Sequence, residues 1–400
     1  MKRALVLSGI LVAASGCSDE NVEDLLGIDM YFVKLAEDPA EVANTASWIA
    51  ESFGVRIVHT YDVASEGFSV KLPEVLVPEL EALPEVDYIS IDEKRHKAPP
   101  EEEPVEEPVE DPAPLLGADE VPESLERIGA PYLGGGLDAI HVAVVDSGID
   151  AGHPDLNVVG ELDVVAISGG GAAPGGDPNG HGTHCAGTIG ARGDGEGVVG
   201  VAPGVPLHAV RVLDAAGSGY WTDIIAGLEY VMEHPEIRVV NMSLGGPALA
   251  DGEPDPLRDA IQKLEDLGVV VAIAAGNEAQ DTANVSPAGY DLGVVVSAYD
   301  AAGGQDHGFA SFSNFGDAVD VAAPGVDITS TYPNGQFTQL SGTSMATPAV
   351  AGAAAAFLAV NPNAGPNQVR DALIDSGEVG YAGQQGRHPE PLLDLAGLVD

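Results

Sequence analysis

Two hydrophobic rhythms divide the chain. From Ile28 to about His96, short apolar runs alternate with amphipathic ones. Met30–Leu35, Val55–Tyr61, Phe68–Leu72 and Val86–Asp92 have the length and apolar content of strands. Pro39–Phe53 spaces Val42, Ala46, Ile49 and Phe53 along one helical face, and Glu74–Leu83 reads as a second helix. The order strand, helix, strand, strand, helix, strand predicts a small α+β domain of ferredoxin-like arrangement.

The second rhythm starts near Pro122. Ile140–Val145, Leu207–Val212, Val239–Ser243, Val269–Ala274 and Val294–Ala298 are rich in Val and largely apolar on both faces. A strand buries both faces only in a sheet covered above and below, which is the setting of parallel sheets. Helical patterns lie between these runs, at Thr222–Glu233 and Pro256–Leu267. The alternation predicts an α/β domain with a doubly wound, mostly parallel sheet and function at the carboxyl ends of its strands.

Two segments fit neither rhythm. Lys2 and Arg3 precede an apolar stretch from Ala4 to Ala14, and Ala14-Ser15-Gly16 offers small residues before Cys17. This is the pattern of an export signal. It also resembles a bacterial lipoprotein signal, in which the cysteine carries lipid, although Ala14 stands where Leu is usual. Ala98–Pro114 holds Pro-Pro and Glu-rich repeats ending in Pro, an extended and exposed spacer. The predicted organisation is a signal over 1–17, the small domain over 28–96, a linker over 97–121 and the large domain over 122–400.

Composition narrows the function. Sixty-three acids against 16 bases give a net charge of −47. A field of that sign repels phosphate backbones and disfavours nucleic acid and anionic membrane surfaces as partners. No apolar run approaches the ~20 residues of a membrane helix, which argues against an integral multi-pass protein. Cys17 and Cys185 are the only cysteines, too few for a disulfide scaffold or a cysteine-ligated zinc site.

Three segments carry candidate chemistry. Val144-Val145-Asp146-Ser147-Gly148 puts an acid at the end of a buried strand. His181-Gly182-Thr183-His184-Cys185 puts a histidine at the start of a small-residue helix. Gly342-Thr343-Ser344-Met345-Ala346 puts a serine at the start of an Ala-rich helix ending near Val360. Singly, Asp146 could be a strand-end cap, His181 a core or capping residue and Ser344 a helix N-cap.

Together, in the order Asp, His, Ser, they resemble the subtilisin-like serine peptidases, closest in the histidine segment to the proteinase K branch. Asn241-Met242-Ser243-Leu244-Gly245-Gly246, Ala274-Ala275-Gly276-Asn277 and Ala323-Pro324-Gly325 extend the likeness over the whole of 122–400. The unit over 28–96 resembles the inhibitor propeptide of the same family. The resemblance implies a self-processing serine endopeptidase with protein and peptide substrates, its own propeptide as partner, and no cofactor in the chemistry. It implies an extracellular or cell-surface enzyme, monomeric after maturation, with a possible lipid anchor at Cys17 before processing.

Residue roles follow from that likeness and from chemical need. A serine hydroxyl is a weak nucleophile and needs a neighbouring base, which His181 would supply and Asp146 would orient. Asn277 and the Ser344 backbone N–H would stabilise the oxyanion. Gly217-Ser218-Gly219-Tyr220 and Ser243-Leu244-Gly245 resemble the two strands that clamp an extended peptide. Gly245, Ala274, Ala275 and Gly276 would wall the pocket for the residue before the cut. No charge lies in these segments, so apolar or aromatic residues are expected there. Cys185 resembles a buried cysteine beneath the histidine. Asp320, with backbone oxygens of Asp291 and Gly293, matches a family calcium site. First cleavage is expected near Lys94–Ala98 and the mature start near Pro122.

Overall fold

The structure, a computed structural model, describes residues 28–36, 42–92, 96–97, 120–169, 171, 176–249, 254–301, 308–380 and 388–399. The export signal, Cys17 and the acidic linker expected from the sequence lie outside the described residues. The chain forms two compact units, one up to residue 94 and one from residue 95 onward.

In the first unit, β1 (Ile28–Leu35), β2 (Arg56–Tyr61), β3 (Gly67–Pro73) and β4 (Val86–Ile91) form an antiparallel sheet in the order β2-β3-β1-β4. Helix α1 (Val42–Phe53) buries Val42, Ala46 and Ile49, three of the four apolar positions whose spacing predicts it. The expected helix over Glu74–Leu83 is broken: a 3-10 turn at Glu74–Leu76 precedes a short α2 (Val77–Glu81). Pro78 lies in the first turn of α2, where its missing N–H costs nothing, but it would disrupt a helix running through from Glu74.

In the second unit β5 (His96–Lys97), β6 (His141–Asp146), β7 (Val158–Asp163), β8 (Leu207–Arg211), β9 (Ser218–Gly219) and β10 (Ile237–Met242) come first. β11 (Gly246–Pro247), β12 (Val270–Ala274), β13 (Val285–Ser286), β14 (Val294–Tyr299) and β15 (Val321–Pro324) follow. Seven of them form one sheet in the order β15-β14-β12-β10-β6-β8-β7, parallel at every pairing. β12 and β14 are buried at every position, and β6 at all but the first. β7 and β15 have no counterpart among the predicted runs: β7 is a partly exposed edge strand whose apolar run Gly160 and Glu161 interrupt, and β15 is only four residues long and ends in Pro324. Strand order reverses at β6, with β8 and β7 on one side and β10, β12, β14 and β15 on the other. A crevice between such halves, at the strands' carboxyl ends, is where this fold class places its ligands.

Helices α3 (His181–Gly190), α4 (Trp221–Glu233), α5 (Pro256–Asp266), α6 (Thr343–Val360) and α7 (Pro366–Ser376) complete the frame. α6 is long and apolar enough to cross a membrane by length and composition, but 83% of its residues are buried inside the protein. Its small side chains let other backbone come close. A Cβ added at Gly352 would stand 2.7 Å from Val201 Cβ. Gly352→Ala is therefore expected to lower stability by about 1–3 kcal/mol through overpacking. Calorimetry in a Ser344→Ala background, where self-digestion cannot interfere, measures the loss.

Candidate active site

Asp146 ends β6 with no exposed surface. Its carboxylate accepts the backbone N–H of Ser147 at 2.6 Å and lies 2.8 and 2.9 Å from His181 Nδ1. A carboxylate at that distance accepts a hydrogen bond from Nδ1–H, so neutral His181 carries its lone pair on Nε2. Nε2 is buried and has no hydrogen-bond partner among the described residues. Burial lowers the imidazole pKa, but the adjacent Asp146 outweighs it and holds His181 well above the usual histidine value.

A second carboxylate, missed in the sequence, sets the start of α3. Asp177 accepts the N–H groups of Asn179, Gly180 and Thr183 and the hydroxyls of Thr183 and Ser147. The Ser147 hydroxyl in turn accepts the Gly182 N–H at 3.0 Å. An acid shortly before a helix is a capping signal, which Asp177-Pro178-Asn179-Gly180 displays. Gly182 lets the helix abut the strand end, because a Cβ there would stand 2.1 Å from Gly148 O.

Ser344 is the second residue of α6. Pro348, four residues on, has no N–H, so the Ser344 carbonyl has no helical donor. Ser243 Oγ donates to it at 2.9 Å and Cys185 Sγ at 3.5 Å. Asn241 Nδ2 donates to Ser243 Oγ at 3.0 Å. Ser344 Oγ donates to the Ser243 carbonyl at 3.3 Å. Cys185 Sγ also lies 4.0 Å from His181 Nδ1, so the thiol bridges the histidine and serine segments. Cys185 is a free, fully buried thiol whose pKa burial raises. His184 faces elsewhere, with Nε2 2.9 Å from Ile328 O and its pKa pushed by burial to about 3.

Asn277 follows β12. Its Oδ1 accepts the Thr343 N–H at 3.0 Å and the Thr343 hydroxyl at 2.8 Å. Those contacts fix the amide, leaving Nδ2 as a donor beside the start of α6. Ala274 and Ala275 are buried and Gly276 donates to Thr343 Oγ1 at 3.1 Å. Asn314 Nδ2 holds the Ala275 carbonyl at 2.8 Å and Glu278 Oε2 at 2.7 Å. An exposed carboxylate therefore stands beside the uncharged segment Ala274–Gly276. Ser218–Gly219 pairs antiparallel with His96–Lys97, in the register His96 with Gly219 and Lys97 with Ser218.

The residues matched to calcium have another partner. Arg370 Nε donates to Asp320 Oδ1 at 2.8 Å, and its terminal nitrogen lies 3.2 Å from Asp291 Oδ1. The other Asp320 oxygen accepts the Val295 N–H at 2.9 Å. Both Asp320 oxygens thus accept hydrogen bonds from the protein. The set does not fit calcium without displacing Arg370.

Comparison with known proteins now bears on this geometry. The Subtilase family profile matches residues 138–388, and the Peptidase inhibitor I9 profile matches residues 30–98. Subtilisin NAT of Bacillus subtilis subsp. natto is 42% identical over 308 residues, covering 76% of this chain and 73% of that protein. An extracellular serine proteinase of Thermus sp. is 38% identical, covering 85% and 78%. The crystal structure of a cold-adapted subtilisin-like serine proteinase superposes with a TM-score of 0.59 at 34% identity, covering 68% of this chain and 97% of that one.

Two outcomes follow from these contacts. Arg370→Gln leaves Asp320 short of a charged donor and is expected to cost about 2–3 kcal/mol, read by calorimetry in the Ser344→Ala background. A base at His181 works only when neutral, so turnover should rise with pH through a pKa above the ordinary histidine value. Asp146→Asn removes the charge that raises it while burial remains. The acid limb of kcat/KM should then move to lower pH as the rate falls by about 10⁴-fold, the size of the Asp→Asn effect in a Ser-His-Asp peptidase.

Proposed function

Because the chain belongs to the subtilase family of serine peptidases and carries an inhibitor-type propeptide domain, we propose that it is an exported, self-processing endopeptidase whose triad is Asp146, His181 and Ser344. The observation that carries this reading is the buried His181 ring, held by Asp146 through Nδ1 with Nε2 unpartnered, in one contact network with Ser344.

Ser344 Oγ leaves the Ser243 carbonyl, gives its proton to His181 Nε2 and attacks the scissile carbonyl carbon. Asp146 stabilises the imidazolium that forms. The oxyanion takes hydrogen bonds from Asn277 Nδ2 and the Ser344 backbone N–H at the positive end of α6. The imidazolium then protonates the leaving amine, and water, activated by the same ring, hydrolyses the acyl-enzyme.

Substrate would lie as an extended strand along Gly217-Ser218-Gly219-Tyr220 on one side and Ser243-Leu244-Gly245 on the other. The antiparallel pairing of His96–Lys97 with Ser218–Gly219 supports this track, and supports first cleavage near Lys94–Ala98. Backbone pairing reads shape, so specificity is broad. The pocket over Gly245, Ala274, Ala275 and Gly276 favours apolar or aromatic residues, with Glu278 allowing basic ones as a secondary choice. The extracellular Thermus relative and the basic-then-apolar N-terminus support export.

Casein clearing tests the central reading. Ser344→Ala should abolish it, by about 10⁶-fold in turnover, the size this deletion has in subtilisin itself. The same variant should remain full length, whereas N-terminal sequencing of the wild-type product should give a mature start near Pro122. Glu278→Gln should lower the preference for Lys relative to Phe before the cut by about 2–5-fold, the range of an exposed ion pair.

A further inference from the structure

At the opposite end of β6 from Asp146 lies a cluster the peptidase chemistry does not use. His141, the first residue of β6, places Nδ1 2.9 Å from Nε2 of His208 on β8. Glu236 directly precedes β10 on the other side of β6, and its backbone carbonyl accepts the His141 N–H. One ligand atom from each of His141, His208 and Glu236 falls within 4.8 Å of the other two. His208 is buried at 3% exposure, His141 is half-buried and Glu236 is exposed, so the cluster opens to solvent on the carboxylate side.

We propose that His141, His208 and Glu236 form a binding site for a divalent transition metal of the zinc class, with water completing the shell. Two imidazoles and one carboxylate are a donor set suited to zinc, copper and nickel, and poor in the oxygen that calcium and magnesium need. Three protein ligands with an open fourth position is a complete zinc arrangement. Two nitrogens at ~2.05 Å from a tetrahedral ion stand about 3.3 Å apart, so the imidazoles need to part by only about 0.4 Å.

The surroundings are built for a ligand histidine. His208 Nδ1 lies 2.9 Å from Tyr230 Oη, an outer partner that fixes the ring with Nε2 toward His141. Tyr230 is itself fixed by the His234 ring, 3.9 Å away centroid to centroid. His234 Nδ1 is committed to the Tyr230 carbonyl at 2.7 Å. Gly160 on β7 makes room for this pair: a Cβ there would stand 2.4 Å from His208 Nδ1 and 2.7 Å from Tyr230 Oη. A metal here would pin β6, β8 and the start of β10. His141 and Asp146 are five residue steps apart along the strand, about 16 Å, so the ion takes no part in peptide hydrolysis.

The test uses the full-length Ser344→Ala chain, freed of metal and titrated with zinc chloride by calorimetry and thermal unfolding. The expected result is one equivalent bound, with the midpoint raised by about 5–10 °C at a hundredfold excess over Kd. His141→Gln/Glu236→Gln, which changes only half-buried and exposed positions, should abolish that equivalent, and in the Ser344-containing enzyme should leave peptide turnover unchanged. Asp146, His181 and Cys185 form the rival cluster. Cobalt titration separates the two, because a thiolate ligand adds a charge-transfer band and the proposed site does not. Zinc binding that survives the double substitution, that vanishes with Cys185→Ala, or that shows no one-to-one step would overturn the proposal.

Discussion

A carboxylate with no exposed surface is the constraint around which this molecule is organised. Burying Asp146 without partners would cost several kcal/mol or force it to take up a proton. The Ser147 N–H and the His181 Nδ1–H supply the partners. The His181 contact also orients the imidazole, and the Asp146 charge raises its proton affinity, so one interaction serves folding and the proposed chemistry together. Neither partner is free to drift. Ser147 is tied through its hydroxyl to Asp177, and Asp177 holds the first turn of α3 by its backbone N–H groups. The end of β6 and the start of α3 are thereby welded into one polar unit inside an apolar core.

The serine side is organised by a missing hydrogen bond. Pro348 deprives the Ser344 carbonyl of its helical donor, and a buried carbonyl left alone is costly. Ser243 and Cys185 fill the gap, each from a different element. The serine segment is thus registered against the end of β10 and against the helix that carries His181. Parallel packing explains why these pieces meet at all. β10 is the neighbour of both β6 and β12, so the chain leaving all three strands emerges at one edge of the sheet. Asp146, Ser243 and Ala274–Asn277 are the residues found there.

Much of this was legible in the sequence, and the exceptions have physical causes. The five Val-rich runs became parallel strands because nothing but a covered sheet accommodates strands apolar on both faces. β7 was missed because an edge strand half in solvent has no such signature. The helix over Glu74–Leu83 failed at Pro78. The Asp146, His181 and Ser344 segments were readable as three motifs in order, but their supports were not. Asp177 and Pro348 have local signals, a cap before a helix and a proline inside one, but the Ser147 and Ser243 groups they engage or leave room for, like the partners of Thr343 and Asn314, come from segments far apart in the chain, which local pattern does not record. Arg370, some fifty residues from Asp320, takes the carboxylate expected to ligate calcium, a pairing no local pattern displays. Glu278 directly follows Asn277, but its place beside Ala275 depends on Asn314, which binds both and lies some forty residues on.

The proposed hydrolysis requires Ser344 to be a nucleophile activated by His181. Mass spectrometry of the protein treated with a fluorophosphonate probe tests this most directly. A single covalent adduct on Ser344, forming at a rate that rises with pH through the His181 pKa and lost in His181→Ala, is the predicted result. An adduct on another residue, or none while the protein remains folded, would contradict it.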